Sequence, residues 1–93
     1  MSDAPTNTPL HLVQRRVAWA SCAAVRAAGE PVVLVGDGVA AILDGAADCY
    51  ALAADLTALG LEQRMPATVQ PIDDERWVAL CAAHGPIVSW SRE

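Results

Sequence analysis

Cys22 is the residue of this 93-residue chain best placed to do chemistry. Arg26 follows one helical turn later, and the pair Arg15-Arg16 lies just before it. A guanidinium beside a thiol favours the thiolate, and the start of a helix acts in the same sense. The thiolate is the form that attacks sulfur, and a persulfide built on Cys22 would be anionic in the same field. The same spacing also fits a plainer role, in which Cys22 fills space between Ala and Val against a sheet.

The other reactive side chains point less sharply. Cys49 stands beside Tyr50 in a short apolar run, and Cys81 shares a helical stripe with Trp77 and Leu80, so both read as packing residues. Three widely spaced cysteines without a Cys-x-x-Cys pair make neither a disulfide framework nor a zinc site. His11 lies inside a strand, on one face with Val13. His84 closes a helix, where an imidazole suits the dipole. Gly36-Asp37-Gly38 has too few glycines for a phosphate-binding fingerprint, and Asp37 would repel an anion, so it reads as a turn and helix cap. No Ser-His-Asp or Cys-His arrangement is visible, and neither a metal nor a cofactor is expected.

The elements that must position these residues are read from the apolar pattern. Pro31 to Val35 is apolar throughout, which calls for cover on both faces, as in a central parallel strand. Further strands are expected at Leu10–Val13, Asp48–Leu52, Thr68–Ile72 and Ile87–Trp90, with Pro71 limiting how centrally the fourth can sit. Helices are expected over Arg16–Ala28, stopped by Gly29, and over Ala53–Leu59. A short helical piece spans Val39–Leu43, and a last helix is capped by Asp73 and ended by Gly85-Pro86. In the first helix Val17, Ser21, Ala24, Val25 and Ala28 are expected to face the sheet. Trp77, Leu80, Cys81 and His84 form the inner stripe of the last. This alternation predicts an α/β fold, a mostly parallel five-stranded sheet with helices on both faces.

Composition bounds the rest. The chain carries a net charge of −5, with six Arg and no Lys. That balance argues against direct contact with a nucleic-acid backbone, which takes clustered cations. No stretch has the apolar length to span a bilayer. Residues 1–9 are expected to be a flexible leader without a signal-peptide core, and 10–93 a single domain. The expected location is cytoplasmic. Apolar residues make up 54% of the chain, much of it alanine, so burial against partner subunits is expected.

Several blocks run in a recognisable order: Leu10-His11-Leu12-Val13, Cys22, Gly36-Asp37-Gly38-Val39-Ala40-Ala41, Tyr50-Ala51-Leu52 with Asp55-Leu56 and Gly60-Leu61, Ile72-Asp73, Trp77-Val78 with Leu80 and His84, and Ser89-Trp90. In this order the chain resembles the TusB/DsrH family of sulfur-relay subunits. The resemblance implies a small DsrE-like, flavodoxin-like fold. It also implies assembly with TusC/DsrF-like and TusD/DsrE-like subunits into a complex that hands persulfide sulfur to a TusE/DsrC-like acceptor. That relay serves either 2-thiouridine synthesis at the tRNA wobble position or sulfur oxidation. DsrH-type members carry a cysteine in the first helix, and Cys22 falls there. It would act by thiol–persulfide exchange, its thiolate taking the outer sulfur of a donor persulfide while the donor thiolate leaves. Arg26 would stabilise that thiolate. TusB-type members often lack the cysteine and serve mainly as structural subunits, the role Cys22 as filler would imply here. A stand-alone module binding a small ligand at the Gly36-Asp37-Gly38 turn is a third reading.

Overall fold

In the computed structural model, which describes residues 6–27 and 29–91, five strands form one sheet in the order β4-β3-β2-β1-β5. They are β1 (Thr6–Val13), β2 (Val32–Leu34), β3 (Cys49–Leu52), β4 (Val69–Ile72) and β5 (His84–Trp90). Every neighbouring pair is parallel, so each connection is a crossover. The crossovers carry helices α1 (Trp19–Val25), α2 (Ala53–Ala58) and α3 (Asp74–Ala83), and a 3-10 run at Gly36–Asp44. The expected small α/β fold is the one observed.

Strand alternation sorts the core into two faces. Val13, Val32, Leu34, Cys49, Ala51 and Val69 pack with Cys22, Val39, Ile42 and Leu56 on one side. Leu10, Leu12, Val33, Leu52 and Ile72 pack with Leu80 on the other, against α3. β2 is buried at all three positions, because helices lie above and below it. The sheet needs its closest approach at Gly38, where a Cβ would collide with the Val13 carbonyl oxygen. That contact lets the 3-10 run sit down on the end of β1. Its far end turns at Gly45, where φ is 89°, the left-handed region that suits glycine.

Several boundaries differ from the expected ones. β1 begins at Thr6 rather than Leu10, so residues expected in the leader pair with β5; residues 1–5 lie outside the described residues. The first helix is a 3-10 turn at Arg16–Ala18 followed by α1, and it ends at Arg26, whose ψ is 140°. It stops early because the amide of Ala27 donates to the Glu30 carboxylate at 2.9 Å instead of continuing the helix. Ala28 is outside the described residues. Asp37 does not cap its own segment; its carboxylate accepts from the Arg16 amide at 2.9 Å. Asp73 does cap α3, accepting from the Arg76 amide at 2.8 Å. α3 gives way directly to β5 at His84, which is extended and not part of the helix. Trp77, Leu80 and Cys81 do form its inner stripe, with the Trp77 indole N–H buried and unpartnered.

Candidate functional site

The helix that carries Cys22 is turned from the expected phase. Val17 and Val25 are 53% and 66% exposed, and Ser21 and Ala24 also face outward. The inward residues are Ala18 and Cys22, each 0% exposed. A thiol that takes sulfur from a donor persulfide must reach solvent, and Cys22 does not. Cys22 sits among Val32, Leu34, Ala51 and Cys49 in the core of that face. Burial pushes its thiol up from the ordinary 9.0 to about 11, outweighing the opposing pull of Arg26, while Glu30 adds to the rise. The expected acidic thiol is therefore reversed, because loss of water costs the thiolate more than one guanidinium returns.

Arg26 is engaged elsewhere. Its guanidinium donates to the Asp48 carbonyl at 3.3 Å, bridging the end of α1 to the start of β3. Arg26, Glu30, Asp48, Cys49, Tyr50 and Gln70 line a cleft of about 320 Å³ at the amino-terminal rim of the sheet. Cys49, 5% exposed, is pushed up to about 12, chiefly by burial. Cys81 is half-buried and raised by burial as well.

At the opposite rim two loop amides already meet carboxylates of the chain itself. The Gly36 amide donates to Asp55 at 2.7 Å, and the Arg16 amide to Asp37. Arg16 clasps Asp44 through two bonds of 2.6 and 2.8 Å, which holds the Asp44 carboxyl below its usual range.

A chain of hydrogen bonds through one buried histidine escaped sequence reasoning. His11, 4% exposed, bonds Glu30 through Nε2 at 2.7 Å and accepts from the Trp90 indole at Nδ1. An indole N–H only donates, so Nδ1 must accept and the ring proton sits on Nε2. These residues are far apart in sequence, and no local pattern signals their meeting.

A family model described as DsrH like protein matches residues 14–86, from the end of β1 into β5. The chain belongs to the DsrH-like family. It is thus a sulfur-relay subunit in general terms, and a DsrH-like chain works in complex with other relay subunits. The match takes in Cys22, the Gly36–Asp44 run and α3. No curated protein matches the chain. Among the described residues no helix is long and apolar enough to cross a membrane. Nor does any group of three His, Cys, Asp or Glu side chains there have the placement to hold a metal ion.

Proposed function

We propose that this DsrH-like chain is a structural subunit of a cytoplasmic sulfur-relay complex, and that the sulfur itself travels on a partner's cysteine. The partners are TusC/DsrF-like and TusD/DsrE-like subunits, and the complex hands persulfide sulfur to a TusE/DsrC-like acceptor. The end product is thiolated tRNA or oxidised sulfur, and the hand-off chemistry is common to both. The observation that carries this reading is the burial of Cys22. A sulfur without water contact and with its thiol raised to about 11 offers almost no thiolate near neutrality and no approach to a donor persulfide.

The test is sulfur transfer by the reconstituted complex carrying Cys22→Ala. Transfer at the wild-type rate is the expected result. Loss of transfer from an intact complex overturns it and favours the second reading, in which Cys22 carries persulfide with Arg26 as its counter-charge. That reading draws on the pull of Arg26 on the thiols of Cys22 and Cys49. Iodoacetamide labelling near neutral pH separates the two as well, since a structural Cys22 stays unmodified in the assembled complex.

A further inference from the structure

His11 is held by two partners with opposite demands on its ring. Nε2 meets the Glu30 carboxylate at 2.7 Å, and Nδ1 accepts the Trp90 indole N–H at 3.0 Å. An indole nitrogen donates and never accepts, so the bond to Trp90 exists only while Nδ1 is bare. Nε2 already carries the proton of the neutral ring, so a second proton has no place but Nδ1. Proton and indole therefore compete for one lone pair.

Imidazole is the side chain that ordinarily changes charge between about pH 5 and 8. The groups around His11 leave it as the one that takes the proton there. Among the described residues, Glu30 comes from the turn before β2. The Ala27 amide and the His11 ring hold its carboxyl below the usual carboxylate range, so it stays ionised. α1 brings Arg26, which acts on the same carboxylate, and Cys22, whose thiol is kept protonated by burial. β2 brings no titratable group, and β5 brings only His84, at its other end opposite Thr6. Once charged, the imidazolium is drawn to Glu30 more strongly than before, because both partners of that bond are then ionised. The ring stays with Glu30, and the neutral indole is the partner that gives way.

Trp90 has a second hold, and it fixes how far the change spreads. Its carbonyl accepts from the Gln14 amide at 3.0 Å, a backbone bond that does not involve the imidazole. Trp90 lies opposite Val13 in the ladder and packs against the core that Val13 shares with Cys22 and Val39. The strand thus keeps its register while the side chain loses its acceptor.

We propose that His11 is a proton-operated latch on Trp90. Protonation at Nδ1 breaks the bond to the indole, and the indole swings from its half-buried seat to the surface at the end of β5. Deprotonation returns it. The latch works within one chain and does not depend on which subunit carries the sulfur.

The test follows the indole N–H signals of the full chain by nitrogen–proton NMR from about pH 8 to about pH 5. Trp19→Phe, Trp77→Phe and Trp90→Phe assign them. The Trp90 signal moves to the position of an exposed indole, and its hydrogen exchange, corrected for the intrinsic effect of pH, quickens by about tenfold. The move tracks protonation of Nδ1, read from the His11 ring nitrogens, while the Trp19 and Trp77 signals and the β1 amides stay in place. His11→Asn offers an acceptor near the place of Nδ1 that takes no proton, so its Trp90 signal is flat over the range. Should that variant fail to fold, Glu30→Gln is the second: it keeps an acceptor for Nε2 without the charge, so release of Trp90 shifts to lower pH. A Trp90 signal that stays put while Nδ1 gains its proton overturns the proposal. So does an imidazole that takes no second proton over the range, a signal that moves only with global unfolding, or a folded variant of either kind that behaves as the wild type does.

Discussion

Trp90 donates its indole N–H to Nδ1 of His11 across 3.0 Å, joining the end of the last strand to the middle of the first. The two rings lie 6.1 Å apart and tilted, and Glu30 completes the chain on the far side of the imidazole. Because β1 is central and β5 is an edge, this bond anchors the only side by which β5 is held in the sheet. Trp90→Phe strands the Nδ1 acceptor in the core. It is expected to cost about 1–3 kcal/mol in a urea titration. Nitrogen NMR should report a single Nε2–H tautomer in the wild type and in this variant, because Glu30 still accepts from Nε2.

Glu30 contributes to the acid limb of the stability profile, alongside Asp44. The Ala27 amide first, and the His11 ring second, hold its carboxyl below the usual carboxylate range. A group depressed in the folded state stabilises the fold above its ordinary value, and that contribution is lost as pH falls through the folded value. The melting temperature should therefore decline on acidification. Glu30→Gln should lower it near neutrality and flatten the acid decline.

The thiols govern the alkaline limb. Burial lifts Cys22 to about 11 and Cys49 to about 12, against an ordinary 9.0 in the unfolded chain. Between those values the unfolded chain has released protons that the folded chain retains, so stability falls as pH rises from about 9. The double variant Cys22→Ala/Cys49→Ala should lose this part of the decline in urea midpoints measured across that range.

Gly38 is the residue least able to accept a side chain. A Cβ there meets the Val13 carbonyl, a backbone group that also binds the Val35 amide at 3.0 Å. Relief requires the Gly36–Asp44 run to lift away from the end of β1. Gly38→Ala should cost about 3 kcal/mol or more, read from thermal unfolding. Gly29→Ala serves as the contrast for crowding: nothing lies near a Cβ at that position, and its cost comes from its φ of 87° alone.

The strands were legible because their residues leave little choice. Val32, Val33 and Leu34 have no polar partner to offer water, so a doubly covered strand is the only stable home for them. The cap at Asp73 was legible for a similar reason, since a carboxylate before a helical stripe satisfies free amides locally. The phase of α1 was not. From Val17 to Val25 the residues are apolar or small on every side, so the helical period names a helix without naming its inner face. Neighbouring elements chose Ala18 and Cys22. The boundary at Ala27 was hidden too, because the competing carboxylate belongs to Glu30, beyond the helix.

Short-range pattern was thus sufficient for the α/β class, the strand sequence and the helix cap, because alternation and capping act between residues a few positions apart. Whether the Cys22 sulfur meets water, where Arg26 spends its charge, and how Trp90 meets His11 depend on groups brought together from distant segments. Those outcomes turn on desolvation and on the direction of backbone groups, and both take their values when the layers pack.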